Sequence, residues 1–330
     1  MSSLTKKNMI VSKQEFFKAQ QRLENIPFNQ TEEWFEKCGF NESHCLFFID
    51  DLSNPHIGCW GLIFNRKFIG KQLTISGESY KNIITSHNIR DFYLKIISYG
   101  YNIIEITSLQ FHDIKFEIGI RRSGFLRPMI STLSPLTLAI STSENRKTHK
   151  TWNKNLRLAV TANLTFKCIE NPTIEEIKIF CDIFEELQEL KKLDYSLSVN
   201  SMINFFNSGK YKLFFVCNKE GKPICGRIIY VYGKNSYDVH AANSEEARET
   251  GAAYFIIDEI IKYLYTCGVE NFDYGMIAPS SNDMDQVYRA KSYSGGVAKL
   301  YNGQWVYYKS KKIEYLINGY FYFFKKSARF

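Results

Sequence analysis

The sequence predicts an α/β (α+β) protein of two related units, each a mixed, mostly antiparallel sheet flanked by helices. Three observations lead there. From Leu213 to Asn243, apolar, β-branched and aromatic runs are split by polar, Gly-containing breaks at Asn218–Lys222 and Gly233–Ser236, the pattern of an antiparallel meander. A helix follows, because Phe255, Ile256, Glu259, Ile260, Tyr263 and Leu264 recur at three and four up to Gly268, and the strand Glu270–Met276 comes within two residues. The same order of apolar helix, Gly stop and strand occurs at 92–109, around Gly100. At 330 residues the chain has room for two such cores. The expected division is 1–141 and 142–330, the second part opening on a basic connecting helix at 142–160.

Taken in order, residues 12–24 read as a short amphipathic helix with Phe16, Phe17 and Leu23 as apolar positions. Thr31 is placed to cap a second helix through Trp34. Strands are expected at Cys45–Ile49 and across Gly58–Ile75, turning at Asn65–Lys67. A helix from about Asn88 to Tyr99 then leads to a strand at Asn102–Leu109. Within Thr142–Val160, Arg146, Lys150, Lys154 and Arg157 fall at spacings of four, four and three, so a helix aligns them, while Trp152, Leu156 and Ala159 share another face. Such a stripe is either a solvated surface or a ridge facing phosphates, since four cations without an interleaved acid repel one another. Thr173 and Glu176 form a capping-box pattern ahead of Ile177, Cys181, Phe184 and Leu187, and Ser198–Asn207 is a further short helix. In Tyr315–Phe330, aromatic residues precede Lys325, Lys326 and Arg329, which fits either an interfacial membrane contact or a final segment packed on the sheet.

Composition narrows the partners. A hydrophobic content of 45% with 23% charged residues is that of a globular protein, and the net charge of +8 favours anionic partners without choosing among phosphates, nucleic acid and acidic lipid. The eight cysteines form no C-x-x-C pair, and several sit in apolar runs, so no metal site is expected. The first residues lack the apolar core of a signal peptide, and no apolar run reaches the ~20 residues of a membrane span. A reduced, cytoplasmic protein is expected, with peripheral contact at the inner face of the membrane left open.

Between meander and helix, Arg248-x-x-Gly251-x-Ala253 resembles the (Arg/Gln)-x-x-Gly-x-(Gly/Ala) signature of the GNAT N-acyltransferase superfamily. Backbone N–H groups at a helix start have no partner within the helix and attract an anion, and small residues let a pyrophosphate approach. Arg248, Gly251, Ala252 and Ala253 are therefore the candidate donor-binding residues; the alternative is that Gly251 and the alanines serve tight packing. Further along, Phe28-x-Gln30-x-x-x-Trp34, Arg122-x-Gly124-Phe125, Asn155-x-Arg157 and Lys291 followed by Gly295-Gly296 together resemble the FemAB-type peptidyl and N-acyl transferases. That resemblance implies two GNAT-like domains and transfer of an acyl or aminoacyl group to an amine of a cell-envelope precursor, such as a peptidoglycan or surface-polysaccharide intermediate. It also implies acyl-CoA or aminoacyl-tRNA as the donor, with no permanently bound cofactor. Two departures stand out: Ala290 occupies a position where the family commonly has an aromatic residue, and no long coiled-coil insertion is present. These tilt the expectation towards acyl-CoA and an amino-sugar acceptor, with aminoacyl-tRNA-dependent transfer and a non-catalytic binding protein as alternatives.

Amide formation needs a bound donor, a neutral amine and stabilisation of a tetrahedral oxyanion. Asp238 and His240 lie two apart in one strand and so share a face, either as a base with its orienting partner or as a buried polar pair. Lys291 is the candidate for neutralising developing charge or an acceptor phosphate, its alternative being a solvated lysine before a Gly-rich turn. Asp273 and Tyr274, at the end of the next strand, are further candidates for proton transfer, and Arg121, Arg122 and Tyr274 are candidate acceptor ligands. The acceptor is expected to be a phosphorylated sugar or lipid-linked amine.

Overall fold

The computed structural model describes residues 9–131, 133–143, 146–277 and 286–324. The chain forms two compact units, one drawn from residues 1–35, 40–135 and 300–330, the other from 36–39 and 136–299.

In the first unit, β1 (Ile10–Val11) leads into α1 (Lys13–Gln20), whose start is closed by a reciprocal capping box of Ser12 and Glu15. Thr31 caps α2 (Glu32–Cys38), its hydroxyl accepting from the Trp34 N–H at 3.2 Å. A meander of β2 (Cys45–Ile49), β3 (Ile57–Arg66) and β4 (Gly70–Ile75) follows. Its β3–β4 turn lies slightly later than the charged Asn65–Lys67 triplet suggests, and Phe68 takes a left-handed φ of 69°. The short β5 (Ser79–Tyr80) folds back onto β3. Next, α3 (Ser86–Ile97), capped by Thr85 and Asn88, crosses over to β6 (Ile103–Phe111), which runs parallel to β4 from Gln72–Ile103 to Ile75–Ile106. The helix α4 (Ile114–Arg122) packs against α3. Gly119 makes that approach possible, since a Cβ there would lie 2.7 Å from the Ser86 carbonyl and from Ile89. Phe48, Leu73, Phe92, Tyr93, Ile104 and Phe116 form the core.

In the second unit, β7 (Leu136–Ser141) precedes α5 (Lys150–Thr161), β8 (Thr165–Ile169), α6 (Ile174–Lys191) and α7 (Val199–Ile203). The meander β9 (Tyr211–Cys217), β10 (Pro223–Tyr232), β11 (Asn235–Asn243) then leads through α8 (Glu245–Glu249) and α9 (Ala252–Thr266) to β12 (Asn271–Met276) and α10 (Gln286–Tyr293). β12 is parallel to β11 and antiparallel to β7. Thr173 and Glu176 make the capping box their spacing announces, and Ile177, Cys181, Phe184 and Leu187 are buried with Phe180 and Ile183. α5 begins only at Lys150, with the His149 ring as its cap, so Arg146 stands outside the helix that its spacing suggested.

The division at 141/142 assigned the end of the chain to the second domain, whereas the structure counts 300–330 with the first unit. The cause is pairing at long range. Within β13 (Val297–Tyr308), Tyr301–Tyr308 lies antiparallel to β6, opposite Phe111–Ile103, and Trp305 enters the first core. The last helix, α11 (Lys311–Phe324), follows; Lys325, Lys326 and Arg329 lie outside the described residues.

Candidate active site

The second unit contains an opening in its sheet. β11 and β12 pair only from Asn235–Asn271 to Tyr237–Asp273, although both strands continue. Asp238 and Tyr274 are the first residues beyond the last pair. β12 is bent there: Asp273 accepts from the Gly275 N–H at 2.9 Å and from the Thr137 hydroxyl at 2.5 Å. Gly275 has φ of +81°, and a Cβ on it would lie 2.9 Å from the Tyr237 hydroxyl. Only glycine suits that position. Asp273 is thus committed to holding the bend.

Three charged side chains converge on the opening. Arg227, on β10, makes a buried ion pair with Asp238. Against burial, the Asp238 carboxylate holds the guanidinium pKa above its ordinary value. Lys291, on α10, donates to the Tyr274 carbonyl at 3.1 Å, and its ammonium lies 5.1 Å from the centre of the Tyr274 ring. Burial lowers the Lys291 pKa, the attraction of Asp238 opposing it. Burial likewise raises the Tyr274 hydroxyl, which neighbours the Ser294 hydroxyl. At the end of α6, partial burial and the charges of Arg248 and Arg227 lower the Lys191 pKa. Arg227 and Asp238 both act on Lys291, while Arg227 and the exposed Arg248 act on the exposed Lys191. Arg227 Nε and Asp238 Oδ1 are buried without a protein hydrogen-bond partner. A buried ion pair with unpaired polar atoms beside a second, largely desolvated cation suits an anionic or oxyanionic ligand.

Several expectations are redrawn. Asp238 and His240 do not form a dyad. Ile228 faces His240 and Ile229 faces Asp238, so Val239 is an extra residue in β11 and the period-two alternation fails there. Asp238 turns to Arg227, and the His240 ring instead lies 6.0 Å from the Phe205 ring. Burial lowers the His240 pKa to about 3, leaving a neutral imidazole with Nε2 unpaired. Gly251 is left-handed, φ +75°, and starts α9 with no side-chain cap, but a Cβ on it would lie 2.4 Å from the Asn155 carbonyl of α5. The small residue is therefore required by helix packing. Ala252 is fully buried, Ala253 half-buried, and Arg248 exposed on α8. Arg121 and Arg122 belong to the first unit and are exposed; Arg121 is engaged by Glu117 at 2.8 Å. Arg146, expected in the basic stripe, pairs instead with Asp258 on α9, leaving Lys150, Lys154 and Arg157 exposed on α5.

Arg227 was missed by sequence reasoning, though it carried a signal. A lone arginine within the apolar run Ile224–Tyr232 must find an anion if that strand is buried.

No protein-family model and no curated protein sequence matches the chain. Solved structures do. FemX superposes with a TM-score of 0.72 at 13% identity, over 93% of this chain and 98% of that one. The fold is that of FemX. L-PGS from Bacillus licheniformis matches with a TM-score of 0.63 at 12% identity, over 94% of this chain and 97% of that one. The C-terminal domain of a putative lysylphosphatidylglycerol synthetase from Agrobacterium fabrum gives 0.64 at 10% identity, over 93% and 94%. The FemAB-like architecture that the motifs resembled is thus the one present.

Proposed function

We propose that this protein is a transferase that moves an acyl or aminoacyl group from an activated carrier to an amine of a cell-envelope precursor. The observation that carries this reading is Lys291, a largely desolvated ammonium fixed on the Tyr274 carbonyl where β11 and β12 part. A carbonyl carbon bound in that opening is attacked by the acceptor's neutral amine. The N–C bond forms, the carrier's ester or thioester bond breaks, and the amine's proton leaves with the carrier oxygen or sulfur, directly or through water. Lys291 stabilises the intermediate oxyanion, and the Arg227–Asp238 pair positions the Lys291 charge. Lys191 and Arg248 offer charge to a phosphorylated acceptor, such as a nucleotide-linked or lipid-linked amino sugar. A fold shared with a putative lysylphosphatidylglycerol synthetase, which by its name joins lysine to phosphatidylglycerol, supports aminoacyl transfer, there to a hydroxyl rather than an amine.

Of the two donors, an aminoacyl-tRNA is favoured. Lys150, Lys154 and Arg157 line the exposed part of α5 without an acid in that helix, suiting an RNA backbone. Acyl-CoA is the second reading, supported by the uncapped start of α9. The test is turnover: the protein is incubated with an amino-sugar nucleotide or a lipid-linked amine and either aminoacyl-tRNA or acyl-CoA, and amide product is sought by mass spectrometry. Product from the tRNA alone supports the favoured donor, and product from the thioester alone supports the second. Acceptor binding with no product from either carrier would leave a binding protein of this fold and end the enzymatic reading.

A further inference from the structure

The final helix is dressed for a surface other than its own unit. α11 is a helix of 14 residues, and none of its described residues is fully buried. Its large side chains face outward: Tyr315 is 71% exposed, Tyr322 70% and Phe323 74%, with Leu316 and Tyr320 above half. At the helical rotation per residue these five fall within an arc of about 160°, which also contains Lys312. Glu314, the helix's single acid, lies outside that arc and is paired with Lys311. Ile313, Ile317 and Phe321 fall largely on the other side and are half-buried.

We infer that this arc docks on an anionic lipid bilayer, lying in the plane of the headgroups. Three features select lipid over a second copy of the chain or another protein. Tyrosines and phenylalanines with few aliphatic residues are the composition of the interfacial zone, where a ring is buried and a hydroxyl stays wet. The charges bordering the arc are cations: Lys309 and Lys312 are exposed, and Lys325, Lys326 and Arg329 come next in the sequence. The helix is about 21 Å long, short of the ~30 Å apolar thickness, so it lies on the membrane and does not cross it. An acceptor carried on lipid would be met at this surface, but the docking does not depend on the reaction proposed above.

The experiment is co-sedimentation of the full chain with vesicles of phosphatidylglycerol and phosphatidylethanolamine, against vesicles of phosphatidylcholine. The parent is expected to bind the anionic vesicles, with affinity falling as salt rises. The double variant Tyr322→Ser, Phe323→Ser should lose about tenfold or more in affinity. Its melting temperature should not change, because both rings are exposed. Lys312→Glu should weaken binding to anionic vesicles only. Three outcomes would overturn the inference: a parent that stays in the supernatant, a double variant that binds like the parent, or a chain that dimerises through α11 and ignores vesicles. Failure here would leave the transfer assay unaffected, and a chain that binds vesicles but transfers nothing would keep the docking while removing the reaction.

Discussion

Each unit runs an antiparallel meander into a helix and then into a strand parallel to the meander's last one: β2-β3-β4, α3, β6 in the first; β9-β10-β11, α9, β12 in the second. The openings where the parallel strands part are furnished differently. In the first unit Glu78 lies just past the last β4–β6 pair, where it accepts from Ser108 at 2.6 Å and Tyr93 at 3.3 Å. Fully buried, it is pushed up to about 7 by that burial, against the hydrogen bonds from Ser108 and Tyr93. In the second unit the equivalent opening holds Arg227, Asp238 and Lys291, with polar atoms to spare. The helix that follows is closed by Thr85 and Asn88 in the first unit and starts at a bare Gly251 in the second. One scaffold closes its gap with hydrogen bonds to a buried carboxyl group; the other stocks it with an ion pair and a lysine. The transfer proposed above, which develops negative charge, draws on the second.

The largest expected effect breaks this contrast at its ion pair. Asp238→Asn leaves the Arg227 guanidinium buried without its anion, which should cost about 3–5 kcal/mol of stability by urea unfolding at neutral pH. A variant as stable as the parent would mean that Arg227 finds another anion. Next comes Lys291→Ala, expected to lower turnover about a hundred- to a thousandfold, or roughly 2.7–4 kcal/mol, with donor affinity little changed. Unaltered turnover would remove Lys291 from the reaction.

Glu78 sharpens the comparison through pH. Its folded pKa, about 7, lies above the ordinary 4.5, so the folded chain keeps a proton that the unfolded chain releases between those values. The stabilising contribution is full below about 4.5, falls as pH rises and is gone by about 7, a change on the order of 3 kcal/mol. Glu78→Gln should flatten that slope in urea midpoints taken across the range. A variant that keeps the parent's slope would place the titration elsewhere.

Much of the scaffold was legible because it is written locally. Thr173 and Glu176, Gly100, Gly268 and the breaks of the central meander each act within a few residues, and they mark the elements they border. The motif resemblance singled out Lys291, which the structure places against the Tyr274 carbonyl. What escaped needed distant partners. The pairing of Tyr301–Tyr308 with β6 joins segments almost two hundred residues apart, so no local pattern announces that the chain returns to its first unit. The extra residue at Val239 depends on how β10 and β11 align, and it separates two residues that simple alternation puts together. Gly251 matches a phosphate-binding signature, yet its immediate neighbour is the backbone of α5, because tolerance of close approach is the same property whether phosphate or peptide approaches.

That ambiguity is open to a paired substitution. Gly100, after α3, and Gly251, before α9, both have positive φ, 86° and 75°. A Cβ at Gly100 meets nothing within 4 Å, whereas at Gly251 it meets the Asn155 carbonyl. Gly100→Ala should cost about 1 kcal/mol for the left-handed backbone alone, and Gly251→Ala about 2–3 kcal/mol, as overpacking adds to the same strain. Equal losses would mean that α5 yields, and Gly251 would then be free to serve a ligand.

The smallest effect separates the charged opening from the charged surface. Lys150 on α5 is exposed, and so are Lys154 and Arg157 along the same helix. Removing one such charge should change tRNA affinity by only a few tenths of a kcal/mol at high salt, because exposed cations are strongly screened. At low salt the loss should grow, and the slope of log affinity against log salt should fall by about one for each phosphate contact removed. Lys291→Ala should behave in the opposite way, with a large loss of turnover that salt hardly alters, since its ammonium is desolvated and tied to the Tyr274 carbonyl. The measurement is therefore Lys150→Ala beside Lys291→Ala, each assayed for tRNA binding and for turnover at low and high salt. A salt-sensitive binding loss in the first with a salt-insensitive turnover loss in the second would make α5 a steering surface and the opening the seat of chemistry. If Lys150→Ala bound tRNA with the parent's affinity and salt slope, α5 would be an ordinary solvated face, and the donor would have to be sought at the start of α9.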